Sequence, residues 1–114
     1  MRFTRSNWVR FFDDHEKNTT IRLKSQRIGK HNVWAGSYYH PELLGTLYVV
    51  GVKSKLFNQL SLFDAKNDGF NTLNELKDEL LKLNQSIEPE TIVYINHIEE
   101  PINKDLKGEI KDVR

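Results

Sequence analysis

The chain of 114 residues contains no cysteine, so neither a disulfide framework nor a thiolate metal site is possible. It has no apolar run close to the ~18 residues that a membrane-spanning helix needs. The N-terminal segment MRFTRSNWVRFF is charged and aromatic and lacks the apolar core of a signal peptide. We therefore expect a cytoplasmic protein that does not bind membranes.

Several motifs that carry known chemistry are also missing, among them GxxxxGKS/T, GxGxxG, GxSxG and HExxH. The four histidines, at positions 15, 31, 40 and 97, are scattered, and no two of them have the spacing of metal ligands on one element. We therefore expect neither a bound metal nor a cofactor.

The composition allows one modest hydrophobic core. Hydrophobic residues make up 38% of the chain and aromatic residues 11%, which is too apolar for a disordered protein. The segment from Pro101 to Arg114 alternates in charge and contains few apolar residues. We therefore predict a single domain over residues 1–100 and a charged, flexible C-terminal tail over residues 101–114.

The charges are unevenly distributed along the chain, although the net charge is only +1. Residues 17–40 contain five lysines and arginines, two histidines and no carboxylate, whereas residues 61–100 contain nine carboxylates and three lysines. This distribution predicts a basic face in the first half of the chain, and such faces attract phosphate groups. The alternative is a solvated surface whose charges are merely uneven.

The stretch EKNTTIRLK alternates like a β-strand in its second half, because successive strand side chains point to opposite sides. Ile21 and Leu23 fall on one face, which is predicted to be core. The opposite row, formed by Thr20, Arg22 and Lys24, is either the solvent side of a half-buried sheet or the lining of a cleft.

An acidic residue with an unusual position follows later in the chain. Asp68 precedes Gly69 at the end of a predicted short helix, where a carboxylate opposes the helix dipole. An acid in this position suggests a cationic partner such as Lys17 or Arg22. The alternative is an ordinary C-cap residue.

The segment WAGSYY places aromatic side chains soon after the basic strand. Aromatic planes beside cations are suited to stacking on a nucleic-acid base. We therefore predict that Tyr38 or Tyr39 stacks on a base and that Trp34 and Ser37 border the same surface. The alternative for Trp34, which is favoured, is a place in the core.

Turn residues and periodicity predict strands interspersed with helices. Strands are expected over residues 19–24, 31–37, 46–53 and 91–98, with a loop over residues 37–45 and a bulge at Gly51. Helices are expected to begin at the capping residues Ser6, Ser61 and Thr72. The leucines at helical spacing after Thr72 are predicted to be core: Leu73, Leu76, Leu80, Leu81 and Leu83.

The connections between the predicted strands are too short for repeated βαβ units. We therefore expect an α+β fold, in which a small, mostly antiparallel and partly closed β-barrel is flanked by about three helices.

The order of these elements resembles the ASCH domains, which are small relatives of the PUA barrel. The resemblance extends from about Phe11 to about Ile98, and its sharpest pieces are KNTTIR, LSLFDA and LNELK. It implies a PUA-like barrel with a cleft between barrel and helices. ASCH domains have been proposed as RNA-binding modules that are often linked to translation.

Some small bacterial members of this family look like amidohydrolases that remove acyl groups from the exocyclic nitrogen of cytidine. Those members use a Lys, a Thr and a Glu; Lys17 and Thr20 match the first two, and Asp68 falls near the third. Arg22 matches the arginine of the general ASCH motif. Where the family commonly has a glycine shortly before the lysine, this chain has His15 and Glu16.

Three functions are compatible with these features. The first is an RNA- or nucleotide-binding module, in which Arg22 and Lys24 hold phosphate and a tyrosine stacks on the base. The second is the amidohydrolase, with Lys17 as base, Thr20 as nucleophile and Asp68 positioning the substrate or a proton. The third is an adaptor domain that associates through its uneven charges. We expect a monomer or weak dimer, with the first function ahead and enzymatic activity undecided.

Overall fold

The computed structural model describes residues 1–100, and the predicted tail lies outside the described residues. Four strands and three α-helices make up the described part, together with a short 3-10 helix at Phe57–Gln59. In chain order they are α1 Arg5–Phe12, β1 Thr19–Arg22, β2 Gly29–Gly36, β3 Pro41–Leu56, α2 Leu62–Asn67, α3 Leu73–Leu83 and β4 Ile92–Glu99.

The four strands form one antiparallel sheet in the order β1-β4-β3-β2. The sheet is curled into a half-barrel, and the three helices complete an α+β fold. This confirms the predicted class and is consistent with a partly open barrel. No helix among residues 1–100 is long and apolar enough to cross a membrane.

Two clusters of buried side chains hold the sheet and helices together. One cluster joins α2 and α3 to β1 and β4 and includes Ile21, Leu76 and Val93. The other joins α1 to β2 and β3 and includes Phe11 and Leu47. Burial of this apolar surface is the main favourable term in folding, and it fixes where β1 lies relative to the helices.

Strand β3 is longer than the sequence predicted, because it begins five residues earlier. The loop expected over residues 37–45 is confirmed for residues 37–40 and wrong for residues 41–45, because β3 already begins at Pro41, which pairs with Gly36. A proline is tolerated as the first residue of a strand, where its missing N–H is not needed for the ladder. The predicted irregularity at Gly51 is confirmed by a register shift between Val49 and Gly51.

Local capping sequences place the helices that border the cavity described below. The side chain of Ser61 accepts a hydrogen bond from Asp64 N, and the Asp64 carboxylate accepts one from Ser61 N, as a capping box requires. Thr72 caps α3 by accepting from Glu75 N. The prediction for α1 is wrong by two residues, because Thr4 and not Ser6 is its N-cap.

The leucines of α3 divide into two groups, contrary to the prediction that all are core. Leu76 and Leu80 are buried and Leu73 is half-buried. Leu81 is 37% exposed because it lies about 140° around the helix from Leu76. Leu83 lies on the buried side of the helix but is 76% exposed, since it is at the helix end.

Candidate functional site

A cavity of about 500 Å³ lies between β1, the N-terminal segment, the end of α2 and one side of α3. This volume is in the range of small-molecule sites, which are mostly apolar and carry a few well-placed polar groups. Four of the residues singled out from the sequence line it, namely Lys17, Thr20, Arg22 and Asp68. The structure therefore brings together the residues that match the family motif.

Lys17 and Asp68 form a buried polar pair in the wall of this cavity. Lys17 precedes β1 and Asp68 ends α2, and the two backbones meet in an isolated antiparallel bridge. Lys17 Nζ lies 3.1 Å from Asp68 Oδ1 and also donates to the Asp68 carbonyl oxygen at 3.2 Å. Both side chains are buried, so the partner expected for this acid is Lys17.

Two further donors from β1 converge on the same carboxylate oxygen. Thr19 Oγ1 donates to Asp68 Oδ1 at 3.0 Å, and Ile21 N donates to it at 3.1 Å. Although an aspartate is one methylene shorter than a glutamate, the Asp68 side chain therefore reaches β1. Its hydrogen bonds connect the end of α2 to this strand. Thr19 was not predicted as a site residue, because its position two residues before Ile21 places it on the face that strand alternation assigns to the core.

Thr20 and Arg22 form a second polar pair on the cavity wall. Arg22 Nε donates to Thr20 Oγ1 at 3.0 Å, and Arg22 Nη2 donates to the carbonyl oxygen of Arg2. The backbone of Thr20 is fixed by the fully buried Asn96, whose Nδ2 donates to the Thr20 carbonyl at 3.0 Å. In this structure the Thr20 hydroxyl is thus bonded to Arg22.

Burial dominates the electrostatics of the Lys17–Asp68 pair. Loss of hydration lowers the pKa of Lys17; the Asp68 carboxylate opposes this, whereas Arg22 and Arg10 add to it. The same loss of hydration raises the pKa of Asp68, against the opposing effect of its hydrogen-bond donors. Both shifts favour the uncharged forms, so a proton is easier to transfer within this pair than between the same groups in water.

An aromatic ring from the N-terminal segment lies against both cations. Lys17 Nζ and Arg22 Cζ are each 5.6 Å from the centre of the buried Phe3 ring, which is within cation–π range. Phe3 is held there because Arg2 forms a bridge with Trp34 on β2. The sequence offered no signal for this packing, since it depends on a contact between distant segments.

The remaining predicted ligand residues are not brought to the cavity. Lys24 lies beyond the end of β1, is exposed, and is not among the lining residues, so the expected row of Thr20, Arg22 and Lys24 is interrupted. Trp34 is half-buried on β2, and Ser37 and Tyr38 are exposed in the turn after it. Only Gly36 of this region reaches the cavity.

Potential metal ligands do not cluster within residues 1–100. Within that part of the chain no three His, Asp or Glu side chains come together as metal ligands. The Asp68 oxygen that faces Lys17 already accepts three hydrogen bonds, so it is engaged by protein donors.

Comparison with known proteins gives a fold relationship. No family model matches the chain. No curated protein matches it either. The crystal structure of protein EF3133 from Enterococcus faecalis V583, described by the family model DUF984, is similar, with a TM-score of 0.57 and 14% sequence identity. The similarity covers 85% of this chain and 67% of that chain, and at this identity it shows a shared fold alone.

Proposed function

We propose that the cavity binds a nucleotide or nucleoside, either free or as one unit of an RNA strand, in a PUA-like domain of the ASCH type. The observation that carries this proposal is that Arg22 and Lys17 both line an apolar-walled cavity of about 500 Å³. A cavity of this size suits one planar base with its sugar.

Arg22 is the residue that we assign to an anionic group of the ligand. A guanidinium has five N–H donors in a planar fork, and the bonds to Thr20 and Arg2 use only two of them. Such forks match phosphate and carboxylate oxygens. Apolar side chains on the other walls, such as Leu80 and Ile87, would contact the face of the base.

The test is a titration of the purified protein with cytidine, cytidine monophosphate and a short single-stranded RNA, followed by calorimetry. Arg22→Gln is expected to weaken binding of the monophosphate at least ~10-fold. Lys24→Gln, which removes an exposed cation outside the cavity, is the matched control and should bind as the wild type does. Failure of all three probes to bind, or equal binding by Arg22→Gln, overturns the proposal.

A second candidate function is hydrolysis of an acylated cytidine, and the buried Lys17 favours it. Burial shifts the pair with Asp68 toward an uncharged amine, which is the form that accepts a proton. In this scheme Thr20 Oγ attacks the acyl carbon and Lys17 takes the hydroxyl proton and passes it to the leaving amino nitrogen. Water then cleaves the acyl ester on Thr20, and Arg22 stabilises the oxyanion in both steps.

Turnover of N4-acetylcytidine tests this second candidate. Thr20→Val keeps the shape of the side chain and removes the nucleophile, so activity should be lost, whereas Thr20→Ser should retain part of it. Lys17→Ala should also be inactive. Absence of wild-type turnover across a panel of acylated nucleosides excludes the hydrolase and leaves the binding proposal in place.

A further inference from the structure

One side of α3 faces the cavity, and it carries a carboxylate within an apolar stripe. Leu76, Glu79, Leu80 and Leu83 line the cavity and recur at the spacing of one helix face. Glu79 is half-buried, and within residues 1–100 its carboxylate has no hydrogen-bond or ion-pair partner. A carboxylate at a position where its neighbours are leucines is expected to have a partner that residues 1–100 do not supply.

The charges that line the cavity limit what it can accept. Three cationic side chains and two carboxylates contribute, which gives a net charge of +1 when all are ionised. Lys17 and Asp68 neutralise each other. Arg2 and Arg22 remain to attract an anion, and Glu79 opposes them from α3. The charge of the cavity is therefore complementary to a ligand that carries one negative charge or none. A di- or triphosphate would bring further negative charges close to the Glu79 carboxylate, which repels them.

We propose that Glu79 is a specificity-determining residue: it accepts a hydrogen bond from an amino group of the bound base and disfavours polyphosphates. This inference rests on the proposed nucleotide or nucleoside binding. A carboxylate accepts from the exocyclic amino group of cytosine but meets a carbonyl oxygen at the same place in uracil. The ligand class is thus a neutral or singly charged nucleoside or nucleotide with an amino-bearing base.

Two substitutions at Glu79 separate these effects, with calorimetric titration of cytidine, uridine and cytidine triphosphate as the readout. Glu79→Leu removes the acceptor and continues the apolar stripe, so cytidine affinity should fall about 10-fold while uridine affinity changes less than ~3-fold. Glu79→Gln keeps the size of the side chain and an acceptor oxygen but removes the negative charge. The ratio of cytidine triphosphate affinity to cytidine affinity should therefore rise about five-fold.

Asp78→Asn is the matched control, because Asp78 is exposed on the same helix and does not line the cavity. This substitution changes the net charge of the protein by the same amount as either substitution at Glu79. It should leave both affinity ratios unchanged. If both ratios are the same in wild type and in the two Glu79 variants, the role of Glu79 is refuted and the proposed function stands. If wild-type protein binds none of these probes and also fails to bind cytidine monophosphate and the short RNA, the proposed function itself is refuted.

Discussion

Lys17 Nζ lies 3.1 Å from Asp68 Oδ1, although 51 residues separate the two in sequence, and both side chains are buried. The pair joins the segment before β1 to the end of α2, and both residues line the cavity. Charges are seldom buried without a partner, because the loss of hydration costs several kcal/mol for each ion. This pair therefore supports the local fold and also sets the electrostatics of the candidate site.

Removal of one member of this pair should be strongly destabilising. Lys17→Met leaves the Asp68 carboxylate buried without its cation, which is expected to lower the free energy of unfolding by about 3–5 kcal/mol. The double variant Lys17→Met/Asp68→Asn should lose about 1–3 kcal/mol less than the sum of the two single losses. Urea denaturation measures all three values, and additive losses would show that the two groups are not coupled.

A second ion pair provides the comparison for this experiment. Lys55 Nζ lies 2.7 Å from Asp64 Oδ2, but the Lys55 side chain is 36% exposed. Because pairs near solvent contribute little, Lys55→Met should cost no more than about 1 kcal/mol. A loss as large as that of Lys17→Met would mean that burial does not explain the difference between the two pairs.

The pH dependence of stability should reveal the titration of Lys17. Burial lowers its pKa in the folded protein, whereas the unfolded chain titrates near the ordinary lysine value. Between those two values the unfolded chain binds more protons, so the free energy of unfolding rises with pH, by at most about 1.4 kcal/mol per pH unit. Below the lowered pKa the contribution is constant.

This rise is measured as a difference between variants, since other groups also titrate above neutral pH. Urea denaturation of wild type and Lys17→Met from pH 7 to pH 10 should show the wild type gaining stability relative to the variant as pH increases. Lys24→Met, an equivalent change at an exposed position, should run parallel to the wild type. A wild-type advantage that shrinks with rising pH would contradict the lowered pKa.

Asn96 should hold Thr20 in place through hydrogen bonds inside the sheet. It is fully buried, donates to the carbonyl oxygens of Thr20 and Tyr94, and accepts from Gln26 N at 2.9 Å. Asn96→Ala leaves these groups unpaired and should lower the free energy of unfolding by about 2–3 kcal/mol. Asn32→Ala, on the exposed side of β2, should change it by less than about 0.5 kcal/mol. Equal losses in denaturation experiments would exclude a special role for Asn96.

Gly69 should be intolerant of any side chain. Its φ of +90° belongs to the left-handed region, and a Cβ there would lie 3.3 Å from Lys17 Cβ and 3.2 Å from Arg10 Cδ. Gly69→Ala should therefore destabilise by about 1–3 kcal/mol. Gly51→Ala is the control, because a Cβ at Gly51 meets nothing closer than 3.9 Å. Similar thermal unfolding of the two variants would contradict this explanation.

The features that sequence could predict are those encoded within a few residues. The capping box at Ser61, the cap at Thr72 and the bulge at Gly51 each depend on local geometry, and each was found as expected. The alternation of β1 placed Ile21 in the core for the same reason. The resemblance to ASCH domains also predicted Lys17, Thr20, Arg22 and Asp68 as candidate site residues.

The features that sequence missed depend on how distant segments pack. Phe3 reaches the cations only because the N-terminal segment pairs with β2. Glu79 faces the cavity because of the direction in which α3 crosses it, and its sequence neighbours gave no reason to single it out. The exposure of Leu83 likewise follows from where α3 ends relative to the sheet, which helical spacing does not encode.

His15 occupies a backbone conformation that suits glycine, and this leads to the last prediction. Its φ is +57°, and among the non-glycine residues that the structure describes it alone has a positive φ. Glycine adopts this conformation without steric cost, but here a histidine occupies it. The cost of a side chain in this region is about 1 kcal/mol.

The comparison of His15→Gly with His15→Ala isolates this cost, because both substitutions remove the imidazole and its contact with Glu100. The glycine variant should be more stable than the alanine variant by about 0.5–1 kcal/mol in urea denaturation. At Asp14, whose φ is not positive, the glycine variant should instead be less stable than the alanine variant, since glycine there only adds conformational freedom to the unfolded chain. An alanine variant at position 15 as stable as the glycine variant would show that the segment before Lys17 relaxes to a different conformation.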